Sequence, residues 1–252
     1  MSFVFIANIQ AFTTAFTESD LFGKLIILSL LFVSIICWII LSYKIWQAKK
    51  VKKESLIFQN TIEKYKDQFL NIDLDSLPKS NYLKIPTPYQ KIFASLKNKA
   101  IETLNKKAYF LEHISHEKKS SVYLSNIDLE LLESHVYTEI SIQSKLLEKD
   151  LFILSTTVTL APFLGLLGTV WGILVTFSEL QGGASASSNS AVIGGLSTAL
   201  STTVMGLVIA IPALIGYNYL KNNLRVISSD MEDFLHNLLS TLELQYRKVD
   251  VS

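Results

Sequence analysis

A single cysteine in 252 residues excludes an internal disulfide framework. Cys37 sits inside an apolar run, where a packed small hydrophobe is the expected role. The chain also lacks a P-loop, a glycine-rich dinucleotide turn and a nucleophile elbow, so no catalytic residue, cofactor or enzymatic activity is assigned. Only four histidines occur. The run Glu112, His113, His116, Glu117 has no recognised ligand spacing and reads as a solvated helical face, so no metal is expected. Charge is scarce too: Asp, Glu, Lys and Arg make up 18% of the chain, against roughly a quarter in soluble domains.

That scarcity is local. Leu25–Tyr43, Leu151–Ser178 and Leu180–Leu220 contain no Asp, Glu, Lys or Arg. About 20 apolar residues suffice to cross a bilayer as a helix, so each run is long enough to span. The sequence predicts an all-α membrane protein with three transmembrane helices and long cytoplasmic helical extensions. Lys44, Lys49, Lys50, Lys52 and Lys53 follow the first span, Lys221 and Arg225 follow the third, and the connector between spans two and three has no base. The positive-inside bias then puts the N-terminus outside and the C-terminus in the cytoplasm. The expected division is an external amphipathic segment at 1–22 and spans at 23–45, 151–178 and 192–220. A cytoplasmic helical domain occupies 46–150, an external loop 179–191 and a cytoplasmic helix 221–252.

Within that plan, Phe5, Ile9, Phe12 and Phe16 recur at helical spacing opposite Asn8, Gln10 and Thr14. They fit an interfacial helix or a plain apolar leader to span one. No basic n-region or cleavage site marks a signal peptide. Helical character continues through Ile57, Thr61 and Lys64, and Pro78, Pro86 and Pro88 in the segment Asp73–Pro88 are expected to break it before a second helix from near Tyr89 to about Glu117, as a hairpin. Leu129, Leu132, Val136, Ile140 and Leu147 form a later stripe. Since no Gly or Pro interrupts Val122–Ala161, that helix is expected to run unbroken into span two and reach Ser178, about 85 Å in all. In the tail, Leu224, Ile227, Met231, Phe234, Leu238 and Leu242 recur at three and four. They suit packing within the chain or between subunits. Gly182–Ser190 reads as a flexible external loop. The lysines at 49–53 abut a span, so membrane lipid, not nucleic acid, is their expected partner.

Spans two and three are crowded with small and hydroxyl residues. Ser155, Thr159, Pro162, Thr169, Gly172 and Thr176 share one face of span two; Ala199, Thr203, Gly206, Ala210 and Ala213 share one of span three, with Thr198 and Thr202 adjoining. Such faces either pack helices closely or line a polar path. No Asp, Glu, Lys or Arg lies in the three charge-free runs, and intramembrane carboxylates are the usual proton carriers. A partner would have to bring one.

The run Ala161-Pro162-Phe163-Leu164-Gly165-Leu166-Leu167-Gly168-Thr169-Val170-Trp171-Gly172-Ile173 resembles the second-span signature of the MotA/TolQ/ExbB proton channel family. Gly195–Asn218, with Thr203, Gly206-Leu207-Val208, Ala210-Ile211-Pro212-Ala213 and Tyr217-Asn218, resembles its third-span signature. Ser34–Trp38 and Met231–Phe234 are more similar to TolQ-type members, with ExbB-type next. The resemblance implies an inner-membrane homopentamer in which residues 1–22 and 179–191 are periplasmic. It would surround a TolR/ExbD-like single-span partner carrying a transmembrane Asp, and pass force to a TolA/TonB-like protein. It places Thr169 and Thr203 facing that Asp; on the reading of these faces as a polar path, Thr198 and Thr202 line it as well, and Pro162, Gly165, Gly168, Gly172, Gly206 and Pro212 are the expected helix-packing and kink positions. Thr198 stands where the family commonly has Glu, which leaves proton and sodium coupling both open. A structural scaffold without ion flux and a MotA-like flagellar stator are the competing readings; the stator's extra span and charged motor-contacting region are not evident.

Overall fold

A computed structural model describes residues 13, 16, 17, 19–64, 70, 87–114, 123–181 and 188–246. The segment around Phe5, Ile9, Phe12 and Thr14, the turn at Pro78 and Pro86, His116, Glu117, residues 182–187 of the external loop and the side chain of Glu179 lie outside them. The described helices are α1 (Leu21–Lys64), α2 (Pro88–Ile114), α3 (Asn126–Glu148), α4 (Leu151–Gln181) and α5 (Ser188–Tyr246). Of these, α1, α4 and α5 carry stretches long and apolar enough to cross a membrane. The chain is therefore an all-α membrane protein. It divides into two compact units, Met1–Ile45 with Asp150–Lys221, and Trp46–Lys149 with Asn222–Ser252.

In the first unit, α1 begins where Asp20 caps it. Its Oδ1 accepts from the Gly23 backbone N–H at 2.9 Å and its carbonyl from that of Lys24 at 3.0 Å, satisfying donors that a helix start otherwise leaves open. Ile26 and Leu30 pack with Ala161 of α4 and Ala210 of α5. The approach of α4 to α5 depends on glycine. A Cβ on Gly206 would lie 2.5 Å from the Ala161 carbonyl oxygen, one on Gly165 2.9 Å from that of Thr202, and one on Gly172 2.7 Å from the Ala199 Cβ. Gly168 faces the Thr202 side chain in the same way. The opposite faces, with Phe32, Ile35, Phe163, Val170, Val208 and Ile211, are exposed and apolar, which suits a hydrocarbon solvent. Lys221 lies over the Tyr217 ring at 5.7 Å, an aromatic and basic pairing typical of a membrane interface.

In the second unit, Pro88 does not end a helix but starts one. Its missing N–H costs nothing at the first helical position. Thr87 and Gln90 close a reciprocal cap around it, the Thr87 N–H donating to Gln90 Oε1 at 3.0 Å and the Gln90 N–H to Thr87 Oγ1 at 3.3 Å. Ser125 and Asp128 cap α3 likewise, and Lys107 of α2 pairs with Asp128. Val136, Ile140 and Leu132 of α3 are buried, and so are all six apolar residues of the tail stripe. That stripe packs within the chain: the Phe234 ring centroid is 5.3 Å from Tyr89 and 6.1 Å from Phe58.

The unbroken helix expected over Val122–Ser178 is not found. α3 stops at Glu148, Asp150 has φ 74°, and α4 starts at Leu151. Asp tolerates the left-handed region better than most residues, and here it also receives an ion pair from Lys44. The external loop expected to reach Ser190 is shorter as well, because α5 is helical from Ser188.

Candidate functional site

The crossing of α4 and α5 gathers hydroxyls around one carbonyl. Glycine at 165 and 206 removes the Cβ atoms that would hold the helices apart, so side chains of α5 reach the backbone of α4. The Oγ1 atoms of Thr169, Thr202 and Thr203 each lie 3.1 Å from the Gly165 carbonyl oxygen. Thr169 and Thr203 also hydrogen-bond each other directly. Thr202 has a second acceptor, the Ala199 carbonyl at 2.7 Å. Thr169 and Thr202 are buried, and Thr203 is half-buried. Three of the four threonines singled out in the sequence therefore meet at a single oxygen.

The fourth, Thr198, stays on its own helix and donates to the Gly194 carbonyl at 2.9 Å. It lines a 360 Å³ cavity together with Thr202, Gly168 and Gly172. Pro162 and Pro212 lie inside α4 and α5, both of which continue through them. Neither donates a backbone hydrogen bond to the cluster, as an imide nitrogen carries no hydrogen.

One residue of this region escaped sequence reasoning. Asp20 borders the same cavity, and its Oδ2 accepts the Trp171 indole N–H at 2.9 Å. The Phe22 ring lies against Trp171 at 4.4 Å, so the first turn of α1 is held on α4 by both an apolar and a polar contact. Burial alone pushes the Asp20 carboxyl up, but hydrogen bonds from Trp171, Gly23 and Phe22 outweigh it and hold the group below its ordinary value. The available signal was local: Ser19-Asp20 immediately before an apolar run is a helix-start pattern. Its contact with Trp171, 151 positions away, has no sequence signal. Elsewhere, His113 stacks on Tyr109 at 4.1 Å, and the described residues contain no grouping of three or more potential metal ligands.

Comparison with known proteins points to one family. The profile of the MotA/TolQ/ExbB proton channel family matches residues 99–233. The biopolymer transport protein ExbB of Helicobacter pylori is 39% identical over 109 residues, covering 42% of this chain and 70% of that protein. The Tol-Pal system protein TolQ of Haemophilus influenzae is 36% identical over 99 residues, 39% of this chain and 43% of its own length. For ExbB of Aquifex aeolicus the figures are 42% over 88 residues, 35% and 59%. The chain thus spans about half the length of several relatives that it matches.

Proposed function

This chain belongs to the MotA/TolQ/ExbB proton channel family and is a multi-pass protein of the bacterial inner membrane; from that premise we propose that it is the ion-path subunit of a TolQ/ExbB-type energy-transducing complex. The spans at 23–45, 151–178 and 192–220 run with the N-terminus in the periplasm and residues 46–150 and 221–252 in the cytoplasm. Five copies enclose the single transmembrane helix of a TolR/ExbD-like protein, whose Asp takes up and releases the ion. The flux drives relative movement of that helix, and force passes to a TolA/TonB-like protein of the cell envelope.

The observation that carries the reading is the hydroxyl cluster at Gly165. A path for a carboxylate-borne ion needs groups that both donate and accept, and threonine hydroxyls do both. Spans without any acid of their own fit a housing, with the protonatable group supplied by the enclosed helix. Thr203 is only half-buried, so the residue is not sealed between the two helices.

A scaffold without ion flux is favoured by a different fact: Thr169 and Thr203 already bond each other and the Gly165 carbonyl, as packing alone would require. Ion flux in proteoliposomes separates the two. Chain plus single-span partner should dissipate a pH or sodium gradient, and the chain alone should not. A complex that assembles yet passes neither ion establishes the scaffold.

A further inference from the structure

The cavity beside the hydroxyl cluster has an unusual lining. Glycines at 168, 172, 194 and 195 leave its 360 Å³ open. Thr176, Thr198 and Thr202 bring hydroxyls to its wall, and Asp20 is the one ionisable side chain among the described residues that line it. Thr202 connects the cavity to the cluster, since its Oγ1 reaches the Gly165 carbonyl that Thr169 and Thr203 share.

Asp20 is held in place from two sides, Oδ1 by the Gly23 N–H and Oδ2 by the Trp171 N–H. The backbone N–H groups of Phe22 and of Asp20 itself add to these bonds, and all four donors are neutral, so they orient the carboxylate without cancelling its charge. Lys24, one turn along α1, does not line the cavity. The Asp20 charge is therefore not neutralised at the cavity wall.

We infer that Asp20 is the ion-entry residue of this chain: its carboxylate draws a small monovalent cation, hydronium or sodium, into the hydroxyl-lined cavity that leads to Thr202 and the Gly165 carbonyl. A fixed charge at the mouth of a low-dielectric cleft focuses the field and raises the local cation concentration. Because hydrogen bonds keep the group ionised at neutral pH, it attracts the cation without retaining a proton. The hydroxyls then replace part of the cation's water shell. This inference rests on the ion-conducting reading above.

The test uses the full chain with its co-purifying single-span partner in proteoliposomes, with pH-sensitive and sodium-sensitive dyes reporting flux under each gradient. At about 10 mM salt, where the Debye length is roughly 30 Å, Asp20→Asn should lower the initial flux about threefold to tenfold. At about 0.5 M salt the deficit should shrink to within roughly twofold of wild type, because screening removes the contribution of the charge. Asp20→Glu should keep at least half of the flux at both. If Asp20→Asn fails to assemble, Asp20→Ser keeps a capping oxygen without the charge and carries the same comparison. Wild-type flux in the uncharged variants at low salt overturns the inference, and so does a deficit that is unchanged by salt, which marks a structural role through Trp171. Absence of flux from the wild-type complex under both gradients overturns the ion-conducting reading itself.

Discussion

Lys44 Nζ stands 3.4 Å from Asp150 Oδ2, with the lysine side chain 4% exposed and the aspartate 40%. The pair joins α1 to the first residue before α4, at the one described non-glycine position with positive φ. Asp150 thus has two jobs, a counter-charge for a buried ammonium and a backbone conformation that most side chains resist.

These jobs separate by substitution. Asp150→Asn keeps tolerance of the left-handed region and loses the charge that faces the Lys44 ammonium; about 1–3 kcal/mol of stability should be lost, below the fully buried case because Asp150 is partly solvated. Asp150→Ala should cost about 1 kcal/mol more, from backbone strain. Thermal unfolding in detergent measures both. Equal losses would assign the entire effect to the ion pair.

Thr203→Val removes a hydroxyl at nearly constant shape and should abolish the larger part of ion flux while the complex stays assembled. Thr169→Val should act in the same direction. Interhelical hydrogen bonds within membranes average only about 0.6 kcal/mol, so neither variant should unfold the protein, and their effects on stability should be non-additive because the two hydroxyls are partners. Full flux from Thr203→Val would remove the hydroxyl from the mechanism.

Gly206→Ala places a methyl 2.5 Å from a backbone oxygen of Ala161, and the neighbouring helix has no side-chain rotation to relieve it. A loss of about 1–3 kcal/mol is expected, despite alanine's better helix propensity. Gly165→Ala, at 2.9 Å from the Thr202 carbonyl oxygen, should be milder and should displace Thr202 and Thr203. Melting temperature in detergent ranks the two, and unchanged stability in both would refute the close crossing.

The Asp128 carboxyl is pushed up by burial but held below its ordinary value of 3.8 by Lys107 and by the Ser125 hydroxyl and N–H. A depressed folded-state value means that the group contributes stability above pH 3.8 and loses it progressively as the pH falls further. Asp128→Asn should remove about 0.5–2 kcal/mol at neutral pH and flatten the acid limb of the unfolding curve. An acid limb identical to that of wild type would mean that another carboxylate sets it.

The three spans were legible in the sequence because charge is expelled from long runs, a signal independent of tertiary structure. The tail stripe from Leu224 to Leu242 was legible as a face, but its target was not: periodicity shows what is hidden, not what hides it. The break at Asp150 left no mark because the sequence signals for a stop are glycine and proline, whereas this one is made by an aspartate whose conformation is supported by Lys44. Asp20 and Trp171 were invisible as a pair for a similar reason, since contact between residues so far apart is created only by the fold. At the crossing, Thr169 and Thr203 stood out as residues, while the role of Gly165 as acceptor was hidden, because every residue has a carbonyl and only helix approach makes one special.

The Gly165 carbonyl oxygen has two lone pairs, and three hydroxyls within 3.1 Å compete for it alongside the helical N–H of Thr169. They cannot all be satisfied at once. At any instant at least two hydroxyls are turned elsewhere, to Thr203, to Thr169 or to the Ala199 carbonyl. The crossing therefore admits several hydrogen arrangements on one heavy-atom framework. Exchange among them needs only rotation about C–O bonds, so a rigid helix pair contains a set of hydrogens that can be reordered without the protein moving.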